Sequence, residues 1–318
     1  MNSQINRRQF LKAGTLAAAS SSISIPAFSQ EKMLTRAIPG TEEYLPMVGL
    51  GAPDVFNVLP EEGKELPLSL IKTMVEHGAR VMDTSPFFRP DPPIIGELLA
   101  ELNLTNELFL TSKITVDGKE AGRQHIERAM ANLNKQPMDL LMVHSMRDMH
   151  FHWQTLKDLK EAGRTRYIGT SLARPGVMSY NNYANFHSLE SFMRAENPDF
   201  IMIPYSIHNA EIEERILPLA ADMGTAVIII EAFKTNDDGG LFSLVRGKEL
   251  PEWAADYDID TWAKYSLKWI ISHPAVTCVV TETNKVKHVI DNLGAGYGSL
   301  PDQATRKKMS ELLLSMTA

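Results

Sequence analysis

Short apolar segments alternate with amphipathic ones eight times between Met47 and Glu282, and this alternation constrains the fold more than any other feature. Each apolar segment has five to eight residues and little polar alternation, as is typical of strands buried on both faces. The amphipathic segments have apolar residues at three- and four-residue spacing, and several end at glycine, as helices do. The strand candidates are MVGLG (47–51), RVMDTS (80–85), LFLTSKI (108–114), DLLMVHS (139–145), RYIGTS (166–171), DFIMIPYS (199–206), AVIIIEAF (226–233) and VTCVVTE (276–282).

Alternating strands and helices indicate a parallel sheet, and eight such units in about 250 residues predict a single-domain (β/α)8 TIM barrel spanning residues 34–318. A doubly wound open sheet is the alternative. It usually has fewer strands and a glycine-rich first turn, whereas MVGLGAPD lacks the GxGxxG spacing. Residues 34–46 are expected to form a hairpin over the amino-terminal mouth of the barrel. The long segments after Ser171 and at 234–260 are expected to lie over the carboxyl-terminal mouth.

The amino terminus has the pattern of a twin-arginine export signal. NRRQFLK is followed by the apolar AGTLAAA and by AFSQ, which predicts cleavage after Ser29 and a signal peptide at 1–29. The twin-arginine export machinery is therefore an expected partner and the periplasm the expected location. Because this route moves folded proteins, it favours a cofactor bound before export. The apolar part is too short and too rich in serine for a stable membrane span.

Charge and cysteine content exclude several classes of function. The formal charge is −7, and removal of Arg7, Arg8 and Lys12 with the signal makes it −10, which argues against nucleic acid as a partner. The single cysteine, Cys278, excludes an internal disulfide and a thiolate metal cluster, and its apolar neighbours predict a buried thiol. His150 and His152 alternate as two ligands on a strand would, but no third ligand accompanies them, so no metal site is predicted.

Three residues suited to acid–base chemistry end successive predicted strands: Asp83, Lys113 and His144. Residues at the carboxyl ends of barrel strands share one mouth, so these side chains are expected to meet there. A buried lysine beside an aspartate forms a charge pair that can hold the amine against a reacting oxygen, and a histidine can donate or orient a hydrogen bond. A structural ion pair with a satisfied histidine is the alternative interpretation.

These residues lie in segments that resemble the aldo/keto reductase family, in particular its exported members. The similarity runs from about Leu34 to Arg306 and includes LPMVGLG, DTSP, LFLTSK, DLLMVH, GRTRYIGTS and HVIDNLGA. The resemblance implies a barrel that binds NADP(H) without a Rossmann domain and transfers hydride to a small carbonyl compound. It assigns Asp83 and Lys113 to a supporting pair and His144 to orienting the carbonyl.

The same resemblance exposes a departure. Phe88 occupies the position at which the family carries its proton-donating tyrosine, and phenylalanine has no hydroxyl. A general acid contributes about 10²–10⁴-fold, so ordinary carbonyl reduction is expected to be slow. The candidate substitutes are His144, Lys113 and a loop tyrosine such as Tyr183.

The cofactor residues implied by the resemblance are Ser171 at the carboxamide, and Thr283, His288, Asp291 and Asn292 at the adenosine end. His288 stands where an arginine commonly holds the 2′-phosphate. A histidine is mostly neutral at pH 7 and cannot make a bidentate phosphate contact. Because Thr283, Asp291 and Asn292 fit the family pattern, the adenosine end is still expected to keep more of its contacts than the nicotinamide end.

Three positions expected around the nicotinamide are apolar here: Leu172, Met202 and Ile230. Two main functions follow. The first is an NADP(H)-dependent oxidoreductase acting on a small carbonyl or alcohol. The second is a catalytically degenerate barrel that binds a ligand or partner in the cell envelope. A lyase or isomerase using the Lys113 amine as nucleophile is a third.

Overall fold

The computed structural model describes residues 32–51, 63–84, 95–172, 186–235 and 239–316. The predicted signal at 1–29, Phe88 and Tyr183 lie outside the described residues. The ten described strands are β1 (Thr35–Ala37), β2 (Tyr44–Pro46), β3 (Val48–Leu50), β4 (Val81–Asp83), β5 (Phe109–Ile114), β6 (Met138–Val143), β7 (Thr165–Ser171), β8 (Phe200–Pro204), β9 (Ala226–Ile230) and β10 (Cys278–Thr281).

Eight of these strands, β3 to β10, form a closed parallel barrel in the order β10-β3-β4-β5-β6-β7-β8-β9, with β9 paired to β10. This confirms the predicted (β/α)8 barrel and excludes the open sheet. Seven of these eight strands are shorter than the apolar segments that predicted them, whereas β7 is one residue longer than its segment. The register places Lys113 of β5 opposite Met142 of β6.

The α-helices of the described residues surround the barrel, and most of them follow a barrel strand in the chain. They are α1 (Glu65–Glu76), α2 (Ile95–Glu101), α3 (Lys119–Leu133), α4 (Met149–Glu161), α5 (Phe186–Glu196), α6 (Ile216–Met223), α7 (Gly240–Leu244), α8 (Trp262–Ile271), α9 (Val286–Gly294) and α10 (Gln303–Leu314).

The helix ends follow from local sequence. The side chain of Thr261 accepts a hydrogen bond from the Lys264 amide at the start of α8, and Asp302 accepts one from the Thr305 amide at the start of α10. Helix α6 is capped by Gly224, whose φ of 70° is the left-handed conformation that glycine adopts without a steric penalty. Within the predicted long loop at 234–260, the chain forms α7 and a short 3₁₀ helix at Glu252–Tyr257.

A short hairpin closes the amino-terminal end of the barrel, as predicted. Strands β1 and β2 pair antiparallel. Ile38 and Leu45 are buried in one cluster with residues that begin barrel strands, among them Phe109, Phe200 and Ala226. The hairpin therefore covers the amino-terminal end of the barrel. The opposite end, where the strands finish, remains as the mouth that carries the candidate site.

One histidine prediction was wrong, and two further histidines lie on a helix. The spacing of apolar residues in RQHIERAMANLNK predicts that His125 faces solvent, but His125 is buried and lies 3.3 Å from Thr115 Oγ1. His150 and His152 lie on helix α4 and not on a strand, and His152 is fully buried with Nε2 2.9 Å from the Val116 carbonyl oxygen. Cys278 is buried, as predicted.

Candidate active site

The predicted acid–base residues lie on the inner side of the barrel. Side chains alternate along a strand, and the inward set is identified by the buried cluster inside the barrel, which includes Val81, Phe109, Leu140 and Met142. Asp83 is two residues beyond Val81, Lys113 is four beyond Phe109, and His144 is two beyond Met142. Together with Ser171, the last residue of β7, they form the top inward layer at the carboxyl ends of four neighbouring strands.

Asp83 and Lys113 form a buried ion pair. Lys113 Nζ lies 2.5 Å from Asp83 Oδ2, and the residues are 2% and 5% exposed respectively. The second carboxylate oxygen, Oδ1, accepts a hydrogen bond of 2.7 Å from the Thr111 hydroxyl. Because both carboxylate oxygens have partners, Asp83 is held in one orientation, and this holds the Lys113 ammonium at the barrel mouth.

His144 is buried, with 8% of its surface exposed, and its Nδ1 lies 3.1 Å from the Ser145 hydroxyl. Burial lowers the pKa of His144 to about 3; the positive charges of Lys113 and Arg147 also lower it, against the Asp83 carboxylate, which raises it. The imidazole is therefore neutral at pH 7. It can orient a carbonyl through a hydrogen bond, but it cannot supply a proton as an imidazolium, which argues against His144 as the substitute acid.

Ser171 lies beside this group and is 1% exposed. Its hydroxyl accepts a hydrogen bond of 3.3 Å from the backbone amide of Ser145. This contact links the end of β7 to the turn that carries His144. The next residue, Leu172, is buried and donates its backbone amide to the Met202 carbonyl oxygen at 2.9 Å, while the Met202 side chain is fully buried inside the barrel.

The other predicted cofactor residues form a separate group at the end of β10 and on α9. Asn292 is buried, and its side-chain amide donates to the Thr281 hydroxyl at 3.1 Å. Asp291 accepts a hydrogen bond of 2.9 Å from the Thr261 hydroxyl. Thr283 Oγ1 accepts from the Lys285 amide at 3.2 Å and lies 3.5 Å from His288 Nδ1.

His288 is exposed, and burial together with Lys285 and Lys287 lowers its pKa, although Asp291 raises it. It is therefore neutral at pH 7. Lys285 occupies the amino-terminal cap of α9 and makes no side-chain cap hydrogen bond. The first turn of a helix offers backbone N–H groups to an anion, so this end of α9 fits a phosphate group through backbone amides and nearby lysines.

Two residues of the mouth were missed by sequence reasoning. Thr111 binds the Asp83 carboxylate, and Ser145 contacts both His144 and Ser171. Thr111 could have been found, because it lies two residues before Lys113 on the same strand and so faces the same way. Ser145 could not, because its left-handed backbone (φ 52°) arises from the turn after β6.

The position of Tyr205 at the end of a strand does not place its side chain at the barrel mouth. It follows β8 directly, yet its hydroxyl donates to Glu213 and accepts from Arg306 at 2.7 Å in the outer helical layer. Burial strongly raises the pKa of this phenol, although the charge of Arg306 opposes the rise. It therefore belongs to a structural network and not to the mouth.

A closed eight-stranded parallel barrel with an acid–base cluster at the carboxyl ends of its strands defines the class of TIM-barrel proteins with an enzyme-like site. The model of the aldo/keto reductase family matches residues 49–308. The chain belongs to the aldo/keto reductase family, whose members are oxidoreductases.

Relatives and solved structures agree with this assignment. The chain is 24% identical over 170 residues to Aldo-keto reductase YhdN of Bacillus subtilis (strain 168), covering 49% of this chain and 48% of the relative. It is 29% identical over 129 residues to Methylglyoxal reductase DkgA of Yersinia pestis, covering 39% of this chain and 44% of the relative. The chain thus spans about half the length of these two curated relatives.

Among solved structures, an aldo/keto reductase from Klebsiella pneumoniae in complex with NADP and acetate has a TM-score of 0.70 and 19% sequence identity, covering 89% of this chain and 95% of that one. The holo form of aldo-keto reductase AKR11C1 from Bacillus halodurans has a TM-score of 0.65 and 18% identity, covering 88% and 96%. At these identities the likeness establishes the shared fold.

Within the part of the chain that the structure describes, no group of three or more histidine, cysteine, aspartate or glutamate residues could hold a metal ion. In the same part, no helix combines the length and apolar character needed to cross a bilayer.

Proposed function

We propose that this protein is an exported NADP(H)-dependent oxidoreductase that acts on a small carbonyl or alcohol. The convergence of Asp83, Lys113 and His144 in one buried layer at the barrel mouth carries the proposal. A purely structural ion pair would gain nothing from a neutral histidine and a serine hydroxyl beside it on the same inward layer. Structural neighbours crystallised with NADP or NADPH support the choice of cofactor.

Two regions of the chain would hold the cofactor. Ser171 would bind the carboxamide end, since its hydroxyl proton is available while its oxygen accepts from Ser145. The first turn of α9, with Thr283 and Lys285, would bind a phosphate, and Asn292 and Asp291 lie on the same helix. When bound, the cofactor supplies or accepts a hydride equivalent. The chain's own residues orient the substrate oxygen and screen the site from water.

Within the site, neutral His144 would direct a hydrogen bond to the substrate oxygen. The Lys113 ammonium, held by Asp83, would stabilise negative charge that develops on that oxygen. Phe88 supplies no hydroxyl, so the oxygen would lack the usual proton donor. We therefore expect measurable cofactor binding but slow turnover of ordinary aldehydes and ketones.

Replacement of Phe88 tests this proposal. In Phe88→Tyr, the added hydroxyl should raise carbonyl reduction by about 10²–10⁴-fold, the usual contribution of a general acid. Phe88→Leu is the matched control, because it changes the ring without adding a hydroxyl, and it should show no gain. A gain that disappears in Phe88→Tyr combined with Lys113→Met would place the new phenol in the site with the Lys113 ammonium.

Cofactor binding is measured separately by NADPH fluorescence titration of the folded, signal-free protein. Absence of binding at high micromolar NADPH, with no gain in Phe88→Tyr, would contradict the oxidoreductase proposal. It would favour the degenerate barrel that binds a ligand or partner in the envelope. The apolar character of Leu172 and Met202, both buried beside the mouth, is the observation that favours this second function.

The location in the periplasm is part of the proposal and rests on the NRRQFLK motif. Arg7→Lys with Arg8→Lys should retain the protein in the cytoplasm with its precursor mass, whereas the unaltered chain should be recovered from the periplasmic fraction. Export that persists in the double variant would contradict the twin-arginine assignment.

A further inference from the structure

The chain segments that leave β5 and β6 are joined just beyond Lys113 and His144. A guanidinium nitrogen of Arg147 donates to the Thr115 carbonyl oxygen at 2.7 Å. Arg147 Nε lies 2.9 Å from a carboxylate oxygen of Asp117. Thr115 is two residues after Lys113 and Arg147 is three after His144, so the contacts connect the backbone of the two site residues at short range.

Further contacts extend this connection. The Asp148 carboxylate accepts a hydrogen bond of 2.7 Å from the Gly118 amide. His152 Nε2 donates to the Val116 carbonyl oxygen at 2.9 Å. Residues 115–118 are thus each bound by Arg147, Asp148 or His152; we call these seven residues the loop clasp. Four consecutive residues held by the opposite segment cannot shift independently of it.

Two residues of the loop clasp, Arg147 and Asp148, lie in the turn after β6, and the backbone of this turn is in an unfavourable conformation. Ser145 and Met146 have φ of 52°, and Asp148 has φ of 42°. Residues other than glycine adopt this left-handed region at a conformational cost and keep it when the surrounding contacts hold them there. The clasp contacts of Arg147 and Asp148 lie in the same turn, so they are placed to maintain the conformation that presents His144.

Arg147 also acts on His144 electrostatically. Burial and Lys113 are the larger causes of the lowered pKa of His144, Asp83 opposes them, and the Arg147 guanidinium lowers it further. The other charged or titratable members of the clasp are Asp117, Asp148 and His152. Arg147 therefore has two effects: it holds the conformation of the turn, and it favours the neutral form of His144.

We propose that Arg147 is a positioning residue that sets the separation and orientation of Lys113 and His144 across the mouth. Its ion pair with Asp117, which is 67% exposed, is of a kind that adds little to stability. Its hydrogen bond to the Thr115 carbonyl, from a side chain 19% exposed, fixes geometry. The effect on turnover rests on the proposed oxidoreductase function; the effect on His144 does not.

Three single variants separate these effects. Arg147→Met removes both the charge and the hydrogen bonds, and Arg147→Lys keeps the charge but loses the planar fork that reaches two partners. Arg123→Met is the matched control, because Arg123 makes an exposed ion pair with Glu120 on α3. All three are compared in the background of Phe88→Tyr, where turnover is expected to be measurable.

We expect Arg147→Met to lower kcat by about 10- to 100-fold, because misplacement of about 1 Å costs up to about 10² in rate, with the KM for NADPH changed less than about twofold. Arg147→Lys should lower kcat while leaving the pKa of His144 near its parental value. Arg123→Met should match the parent. A kcat in Arg147→Met equal to that of Arg123→Met would overturn the proposal.

The side-chain ¹⁵N spectrum of His144, assigned with His144→Gln, gives a readout that needs no turnover. Arg147→Met should shift the His144 ring resonances at pH 7 and move its titration to higher pH. If the shifts and the titration stay parental while only Tm falls, Arg147 is merely structural and the proposal fails. If no variant turns over carbonyls but the spectrum changes as expected, the positioning role stands and the oxidoreductase function does not.

Discussion

Lys113 Nζ and Asp83 Oδ2 lie 2.5 Å apart in a part of the barrel mouth where both residues are almost fully buried. Removing one partner of such a pair leaves the other charge buried without compensation, which costs about 3–5 kcal/mol. We expect Asp83→Asn to reduce the free energy of unfolding by that amount in urea titration. Asp83→Leu combined with Lys113→Met removes both charges and should recover most of the loss. A double variant as unstable as the single one would show that the pair is not the cause.

The lowered pKa of His144 makes the fold sensitive to acid. An unfolded histidine titrates near 6.5, so between that pH and about 3 the unfolded chain binds a proton that the folded chain does not. The contribution of His144 to the free energy of unfolding is fully present above about pH 6.5. It decreases as the pH falls, and about 2–3 kcal/mol of it is lost at about pH 4.5. His144→Gln should flatten the dependence of Tm on pH, whereas His150→Gln, at an exposed position on α4, should not. A parental slope in His144→Gln would contradict the assignment.

Gly122 lies in helix α3, where alanine would ordinarily be favoured by about 1 kcal/mol. A Cβ at this position would lie 2.2 Å from Cε1 of His152, however, and this ring is fully buried and held by its hydrogen bond to the Val116 carbonyl oxygen. We expect Gly122→Ala to destabilise the protein by about 1–3 kcal/mol, since overpacking exceeds the propensity gain. Adding His152→Ala should remove the clash, so the two changes should be strongly non-additive in thermal unfolding. Additive effects would show that His152 is not the obstacle.

The first described residues are anchored to the barrel. The Leu34 amide donates to the Gly296 carbonyl oxygen at 2.7 Å, and Arg36 donates to the carbonyl oxygens of His273 at 2.7 Å and Ile271 at 3.1 Å. Deletion of residues 1–31 should leave Tm unchanged, whereas deletion of residues 1–37 should cost several kcal/mol, about 1 kcal/mol for each lost hydrogen bond plus the exposed barrel interior. Arg36→Met should fall between them. Equal Tm values for the two deletions would refute the anchoring.

Discrimination between NADPH and NADH should depend on position 288. His288 is neutral at pH 7 because burial and two neighbouring lysines lower its pKa, so under the proposed function it would hold a 2′-phosphate weakly. His288→Arg should increase the ratio of NADH Kd to NADPH Kd by about tenfold, through a charge-assisted bidentate contact. His288→Gln, which is uncharged as well, should leave the ratio near its parental value. A ratio that does not respond to arginine would place the 2′-phosphate elsewhere.

Much of the architecture could be read from the sequence because the barrel repeats one local pattern. Each apolar run with strand character produced a barrel strand, and the convergence of Asp83, Lys113 and His144 could be predicted because their positions at strand ends follow from that pattern. Helix faces were less predictable. His125 sits among polar neighbours in sequence, yet it is buried against Thr115, because the packing of α3 against the segment after β5 decides which face is covered.

The amino-acid sequence by itself determined the number and order of the barrel strands, the presence of the NRRQFLK motif and the absence of a hydroxyl at Phe88, since each of these depends on local composition and spacing. Tertiary structure alone decided that Asp83 and Lys113 pair at 2.5 Å, that His144 is neutral, and that Arg147 reaches Thr115. These relationships join residues about 30 positions apart. They depend on barrel closure and burial, which set distances and local dielectric that no stretch of sequence specifies.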